Sequence, residues 1–214
     1  MCTSRLLMMA LLSTVITVGQ FRSVESHNGG SVILRHGPVQ RVTLVEGDPR
    51  YSRIRVAGDR LVIEKCEPDC PRGYRHQVEV VTPEISAVSV SNGGTLQSIG
   101  AFPAQAAIEA HVEQGGTLDI RAIPADTVDA SVYSGGRIFT NPRQSLKAGV
   151  ESGGVVMYWG DPRVRKSIRG GGIVAKGTAA EDKMPLSEWC PEALPPIPPV
   201  PPVPPMPPQS NDSR

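Results

Sequence analysis

The chain has 214 residues, with 22 Lys and Arg against 21 Asp and Glu and a formal net charge of +1, so it lacks the basic footprint of a nucleic-acid binder. Aromatic residues make up only 4% of it, which argues against a stacking platform for bases or sugars. Glycine (22) and proline (21) are abundant, and their placement divides the chain into a leader, a repeat region and a tail.

Residues 1–26 read as a secretory signal peptide. Arg5 supplies the positive start, and Leu6 to Gly19 form an apolar stretch too short to span a bilayer comfortably. Cleavage fits after Gly19 or after Ser26, and a retained N-terminal anchor is the alternative. With no cysteine following the stretch, a lipoprotein-type anchor is not expected, and no later segment is apolar enough to cross a membrane.

Residues 30–82 carry loose strand signals at Val32–Leu34, Val42–Val45, Ile54–Val56 and Leu61–Ile63. Turns at Gly37-Pro38, Gly47-Asp48-Pro49 and Gly58-Asp59 punctuate them, and they are expected to form irregular first coils or a β cap. Cys66 and Cys70 then sit in a polar loop, where an exported chain is expected to join them as a disulfide. A zinc site with His76 is the alternative, but it lacks a fourth ligand at recognisable spacing.

From residue 90 one phrase occurs five times: an apolar residue, two variable residues, Gly-Gly, one variable residue, an apolar residue. The first glycines are 93, 115, 135, 153 and 171, spaced by 22, 20, 18 and 18 residues, the period of a stacked solenoid. The glycine pairs are read as coil corners that need positive φ or a close backbone approach. Before each corner the alternate residues run Ser86, Val88, Val90; Ile108, Ala110, Val112; Val128, Ala130, Val132; Leu146, Ala148, Val150; and Val164, Lys166, Ile168. This period of two predicts short strands with one face inward, stacked in parallel at ~4.8 Å. A flexible linker would not keep apolar residues in register on both sides of every corner. Lys166 breaks the inward column of the last coil and marks that coil as the open end of the stack.

The last coil also holds the basic run Arg163-Val-Arg165-Lys166-Ser-Ile-Arg169. Arg163, Arg165 and Arg169 fall on one strand face, a candidate grip on phosphate or carboxylate, although solvated pairing of Arg169 with Glu151 and of Lys147 with Asp129 accounts for the same charges. Past Gly177 the repeat stops. Pro195 to Pro208 predicts a polyproline II rod, read as a spacer, a docking strip or an inert tail, and Cys190 is left odd. The expected organisation is a signal peptide at 1–26, a β-solenoid domain at 27–180 and a Pro-rich tail at 181–214.

The succession Ala130-Ser-Val-Tyr-Ser-Gly-Gly-Arg-Ile, then Ser145 to Val164 with Tyr158 and Gly160-Asp161-Pro162, then Ser167-Ile-Arg-Gly-Gly-Gly-Ile-Val resembles the head GIN domain family, whose members are labelled putative auto-transporter adhesins. The likeness covers about residues 85–177 and more weakly from 30 onward. It implies an all-β, right-handed parallel β-helix in a bacterial periplasm, outer envelope or extracellular space. Plain Gly-Gly replaces the Ser-Gly-Ser-Gly form common in that family, and the Cys66–Cys70 loop and Pro-rich tail look like additions.

The residues suggest no enzyme. Gly172 to Thr178 has its lysine on the wrong side of the second glycine for a phosphate loop, and only Gly115-Gly116-Thr-Leu-Asp119 approaches a calcium repeat, so no cofactor or metal is expected. The four histidines show no metal or triad spacing, and Glu109 beside Asp129 is the nearest approach to a carboxylate pair. The reading is therefore an exported, non-enzymatic β-solenoid presenting a binding surface, adhesin-like or envelope-associated, with a surface polysaccharide or an envelope protein as the expected partner. Its alternatives are a structural or sensing module with an envelope protein as partner, and a glycan-cleaving β-helix enzyme.

Overall fold

The computed structural model describes residues 13–66 and 69–179; the expectations for Cys190 and the Pro-rich tail fall outside them. Strand residues alternate between β-branched or small side chains turned inward and polar ones turned out, as a half-buried pleat requires. In chain order the strands are β1 (Thr14–Ile16), β2 (Ser23–His27), β3 (Ser31–His36), β4 (Arg41–Glu46), β5 (Ser52–Ala57), β6 (Arg60–Lys65), β7 (Gln77–Thr82), β8 (Ala87–Ser91) and β9 (Thr95–Ile99). They continue as β10 (Gln105–Glu113), β11 (Thr117–Asp119), β12 (Ala125–Tyr133), β13 (Arg137–Thr140), β14 (Pro142–Glu151), β15 (Val155–Tyr158), β16 (Arg163–Arg169) and β17 (Ile173–Lys176).

They form two open sheets. One has the order β1-β4-β7-β3-β9-β11-β13-β15-β17 and the other β16-β14-β12-β10-β8-β2-β6-β5. From β8 onward each chain segment places one strand in each sheet, and each strand lies parallel to its counterparts in the preceding and following segments. The inward columns pair as the alternation predicts: Ile108, Val128, Leu146 and Val164 in one row, Val90, Val112, Val132, Val150 and Ile168 in another. Between them Val88, Ala110, Ala130, Ala148 and Lys166 share a row, and the three alanines are 1% exposed or less. Leu96, Leu118, Ile138 and Val156 are fully buried in the other sheet. Each such aliphatic side chain contributes roughly 1.5–3 kcal/mol on burial, so the columns hold the two sheets together. Lys166 lies exposed on the edge strand β16, the expected end of the stack.

The corners differ from expectation in one respect. Three consecutive residues are left-handed, for example Ser152 (φ 57°), Gly153 (φ 87°) and Gly154 (φ 110°), so the residue before the glycines shares the strain. The two glycines are also unequal. A Cβ on Gly153 would meet nothing within 4 Å, whereas one on Gly154 would lie 2.5 Å from Val132 Cγ1 and 3.2 Å from the Gly136 carbonyl. That tight packing accompanies a repeated bond in which the N–H after the second glycine donates to the second-glycine carbonyl of the neighbouring unit: Thr117 to Gly94 (2.9 Å), Arg137 to Gly116 (3.0 Å) and Ile173 to Gly154 (2.9 Å).

The same bond reveals two units hidden in the sequence. Thr95 donates to Gly30 (2.9 Å), so Asn28-Gly29-Gly30 is a sixth corner, joining β2 to β3. Ser31 donates to the His76 carbonyl (2.9 Å), so His76 stands where a second glycine would, and the loop from β6 to β7 is that unit's corner. Cys66 and Cys70 are bonded to each other within this loop, as expected. Residues 37–86 are thus an insertion that extends both sheets backward, with β6 parallel to β2 and β7 parallel to β3. Beyond them β4 and β5 run antiparallel to β7 and β6, and β1 antiparallel to β4, so the sheets are mixed rather than uniformly parallel. The strand β2 also begins ahead of residue 27, where the domain was expected to start.

His76 is 5% exposed and neither ring nitrogen has a partner among the described residues. Burial first, and the Lys65 ammonium second, push its pKa down to about 4. On the outer face of the nine-stranded sheet Asp119 is likewise buried, but its carboxylate takes Arg121 Nη2 (2.7 Å) and Nε (3.0 Å). The guanidinium lies 5.1 Å from the Trp159 ring centre and 5.6 Å from that of Phe139. The aspartate of the nearest calcium-like repeat is therefore held by a guanidinium.

Candidate binding surface on the eight-stranded sheet

The outward residues of β10, β12, β14 and β16 form rows because parallel register puts like positions side by side. One row is Glu109, Asp129, Lys147, Arg165; the next is His111, Ser131, Gly149, Ser167; the third is Glu113, Tyr133, Glu151, Arg169. Charge changes across the strands: β10 and β12 are acidic, β14 is weakly basic with Arg143 and Lys147 against Glu151, and β16 is strongly basic. The middle row carries small side chains at Ser131, Gly149 and Ser167, and a shallow groove of about 710 Å³ opens over it and the first row, lined by Glu109, His111, Asp129, Ser131, Lys147 and Arg165 among others.

Gly149 lies on the floor of this groove. Its φ is not positive, and a Cβ there would meet only Ser131 Cβ, at 3.9 Å. Neither backbone conformation nor packing calls for glycine, which weakens a strand interior. The missing side chain leaves room above the sheet, and such a glycine marks a place where something approaches closely.

The three arginines singled out in the sequence, Arg163, Arg165 and Arg169, all sit on β16 and are exposed, opposite Ser145, Lys147 and Glu151. None of them makes an ion pair among the described residues. Lys147 does: its ammonium lies 2.7 Å from Asp129 Oδ2, and that hydrogen bond raises its pKa. The expected balance of charges is therefore real at Lys147 and incomplete at the arginines, whose guanidinium groups remain available to an anion.

The register also brings together side chains that sequence spacing kept apart. His111 Nδ1 lies 2.9 Å from Ser131 Oγ in the groove. Further along the sheet His27 Nδ1 lies 2.5 Å from Ser91 Oγ and its Nε2 lies 3.5 Å from Glu25 Oε2. The histidines have no triad spacing in the sequence, and this row forms only because strands 64 residues apart become neighbours. The acid is shared, however, since Arg60 Nη1 lies 3.0 Å from Glu25 Oε1. A carboxylate neutralised by a guanidinium is a poor orienter for a catalytic histidine. Gly149 was visible as a glycine in an outward strand position, whereas the His27 row gave no local signal.

No curated protein matches the chain. Among solved structures, a putative adhesin from Bacteroides fragilis is similar at 14% identity and a TM-score of 0.45, covering 77% of this chain and 95% of that one. A putative adhesin from Parabacteroides merdae follows at 14% identity and a TM-score of 0.38, covering 78% and 95%. A putative lipid binding protein from Parabacteroides distasonis has 14% identity and a TM-score of 0.33, covering 78% and 96%. Residues 104–162, from just before β10 to just before β16, match the family model described as putative auto-transporter adhesin, head GIN domain, the family that the repeat pattern resembles.

Proposed function

We propose that the protein is an exported, non-enzymatic, right-handed β-solenoid that binds an acidic surface polysaccharide along the groove over Gly149, gripping its anionic groups with Arg163, Arg165 and Arg169. The observation that carries this reading is the unpaired basic row on the edge strand β16, continuous with a groove that has no structural need for its central glycine. Hydroxyl groups of the polymer would face Asp129, Ser131 and His111 at the neutral and acidic end, and carboxylates would face β16. The adhesin description of the matched family supports a surface-binding role in the bacterial envelope or outside the cell.

The test is retention of the full chain on polygalacturonate beads at low and high salt, with neutral dextran as the control. Wild type should bind polygalacturonate and release as salt rises. The Arg163→Ser, Arg165→Ser, Arg169→Ser triple variant should stay folded, since exposed charges contribute only ~0–1 kcal/mol each, and should lose binding. Equal binding by the triple variant would remove the arginines from the site, and no binding by wild type would favour a protein partner in the envelope.

A further inference from the structure

The hold on the chain changes abruptly at one point near its start. From Thr14 to Gln20 the backbone is lightly held: β1 is a three-residue edge strand, Val15 is 63% exposed, and Thr17, Gly19 and Gln20 are exposed. A Cβ on Gly19 would meet nothing within 4 Å. From Phe21 onward the chain is fixed. Phe21 is 2% exposed, its N–H donates to Gln40 Oε1 (3.2 Å) and its carbonyl accepts from Gln40 Nε2 (2.6 Å). Arg22 N–H donates to the Asp59 carbonyl (2.7 Å), and the Arg22 carbonyl accepts the Ser86 N–H (2.8 Å).

Just beyond, β2 is an interior strand. It lies between β6 and β8, with Val24 beside Leu61 and Val88, and Ser26 beside Ile63 and Val90. Val24 is fully buried and Ser26 is 1% exposed. Loss of β2 would leave β6 and β8 without their shared partner, detach the β5–β6 hairpin from the sheet and strand one side of the Asn28-Gly29-Gly30 corner. Backbone groups of two strands would lose their ladder bonds inside a buried region, which is prohibitive for a domain of ordinary stability.

We infer that the exported chain is cut between Gly19 and Gln20, and that Phe21–His27 remains in the mature protein as a structural strand. This rests on the proposal of export. A leader-removing protease adds water across the Gly19–Gln20 amide, releasing a Gly19 carboxylate and leaving Gln20 with a free amine. Gly19 meets the requirement for a small residue at the end of a leader. Ser26 meets it by type, but its peptide bond lies within the interior strand. Among the described residues, a cut there removes β1 and the partial cover that Ile16 and Val18 give the core.

The experiment is N-terminal sequencing and intact mass of the full chain expressed in an exporting bacterial host, with wild type, Gly19→Glu and Ser26→Val compared. Wild type and Ser26→Val should both begin at Gln20 or its cyclised form, and Gly19→Glu should accumulate as uncut precursor. Ser26→Val places valine where Val90 stands in the neighbouring unit, so it bars a cut after residue 26 while suiting the column. Exported protein beginning at His27, or a Gly19→Glu variant processed like wild type, overturns the inference while leaving export intact. Chain kept inside the cell with Met1 in place overturns the export proposal and this inference with it.

Discussion

Replacing Gly149 with valine separates the structural and the binding roles of the groove floor. The site has extended backbone without positive φ, and the new Cβ would lie 3.9 Å from Ser131 Cβ, an ordinary contact. Glycine in a strand interior is worse than alanine by roughly 0.5–1 kcal/mol, and a β-branched residue suits a pleated surface better still. Gly149→Val should therefore stabilise the domain by about 1 kcal/mol, raising Tm by roughly 2–4 °C for a domain of this size. The same side chain would fill the groove between Ser131 and Ser167, so retention on polygalacturonate should weaken by about tenfold or more, equivalent to ~1.4 kcal/mol of binding free energy. Thermal melts and bead-binding isotherms of the same preparation give both numbers. A more stable variant that binds like wild type would refute the groove, and a destabilised variant would refute the argument that Gly149 has no structural purpose.

At the corners, Gly154→Ala should destabilise more than Gly153→Ala in urea melts. Both pay about 1–2 kcal/mol for left-handed backbone, but only Gly154 would drive a Cβ to 2.5 Å from Val132 Cγ1, and equal losses would dismiss the packing difference. Stability should also fall with acid because of His76, whose folded pKa of about 4 lies below its unfolded value near 6.5. Above the unfolded value the ring is neutral in both states; as pH drops toward 4 the unfolded chain takes up a proton the folded chain refuses, removing up to about 3 kcal/mol. His76→Leu should flatten the pH 5–7 part of the urea-melt profile, and an unchanged slope would absolve His76. Finally, Ser91 should resist a fluorophosphonate serine probe, since Glu25 is shared between His27 and Arg60; stoichiometric labelling at Ser91 would reopen the enzymatic reading.

The alternation through Ile108, Ala110 and Val112 and its later copies was enough to give the register of β10, β12, β14 and β16, because each corner has constant length and the period of two admits no slip without turning valines to water. The Asn28-Gly29-Gly30 corner does not stand out in the sequence, since Ser26 takes the apolar position and the next glycine pair, at 93, is separated from it by the 37–86 insertion. The unit made by β6 and β7 has no glycine pair at all, its corner being the Cys66–Cys70 loop ending at His76. Of the binding surface, the arginines on β16 were legible as a run, whereas the groove arises from rows contributed by four strands and exists only once they are stacked.

The proposed contact of an acidic polysaccharide with β14 and β16 can be observed residue by residue. Backbone chemical shifts of the isotope-labelled mature chain, followed while oligogalacturonate is added, locate that contact. The proposal predicts perturbations concentrated at Ser145–Glu151 and Arg163–Arg169, fading toward β8 and diminishing with salt. Perturbations centred on the nine-stranded sheet, or none at concentrations that saturate the beads, would contradict it.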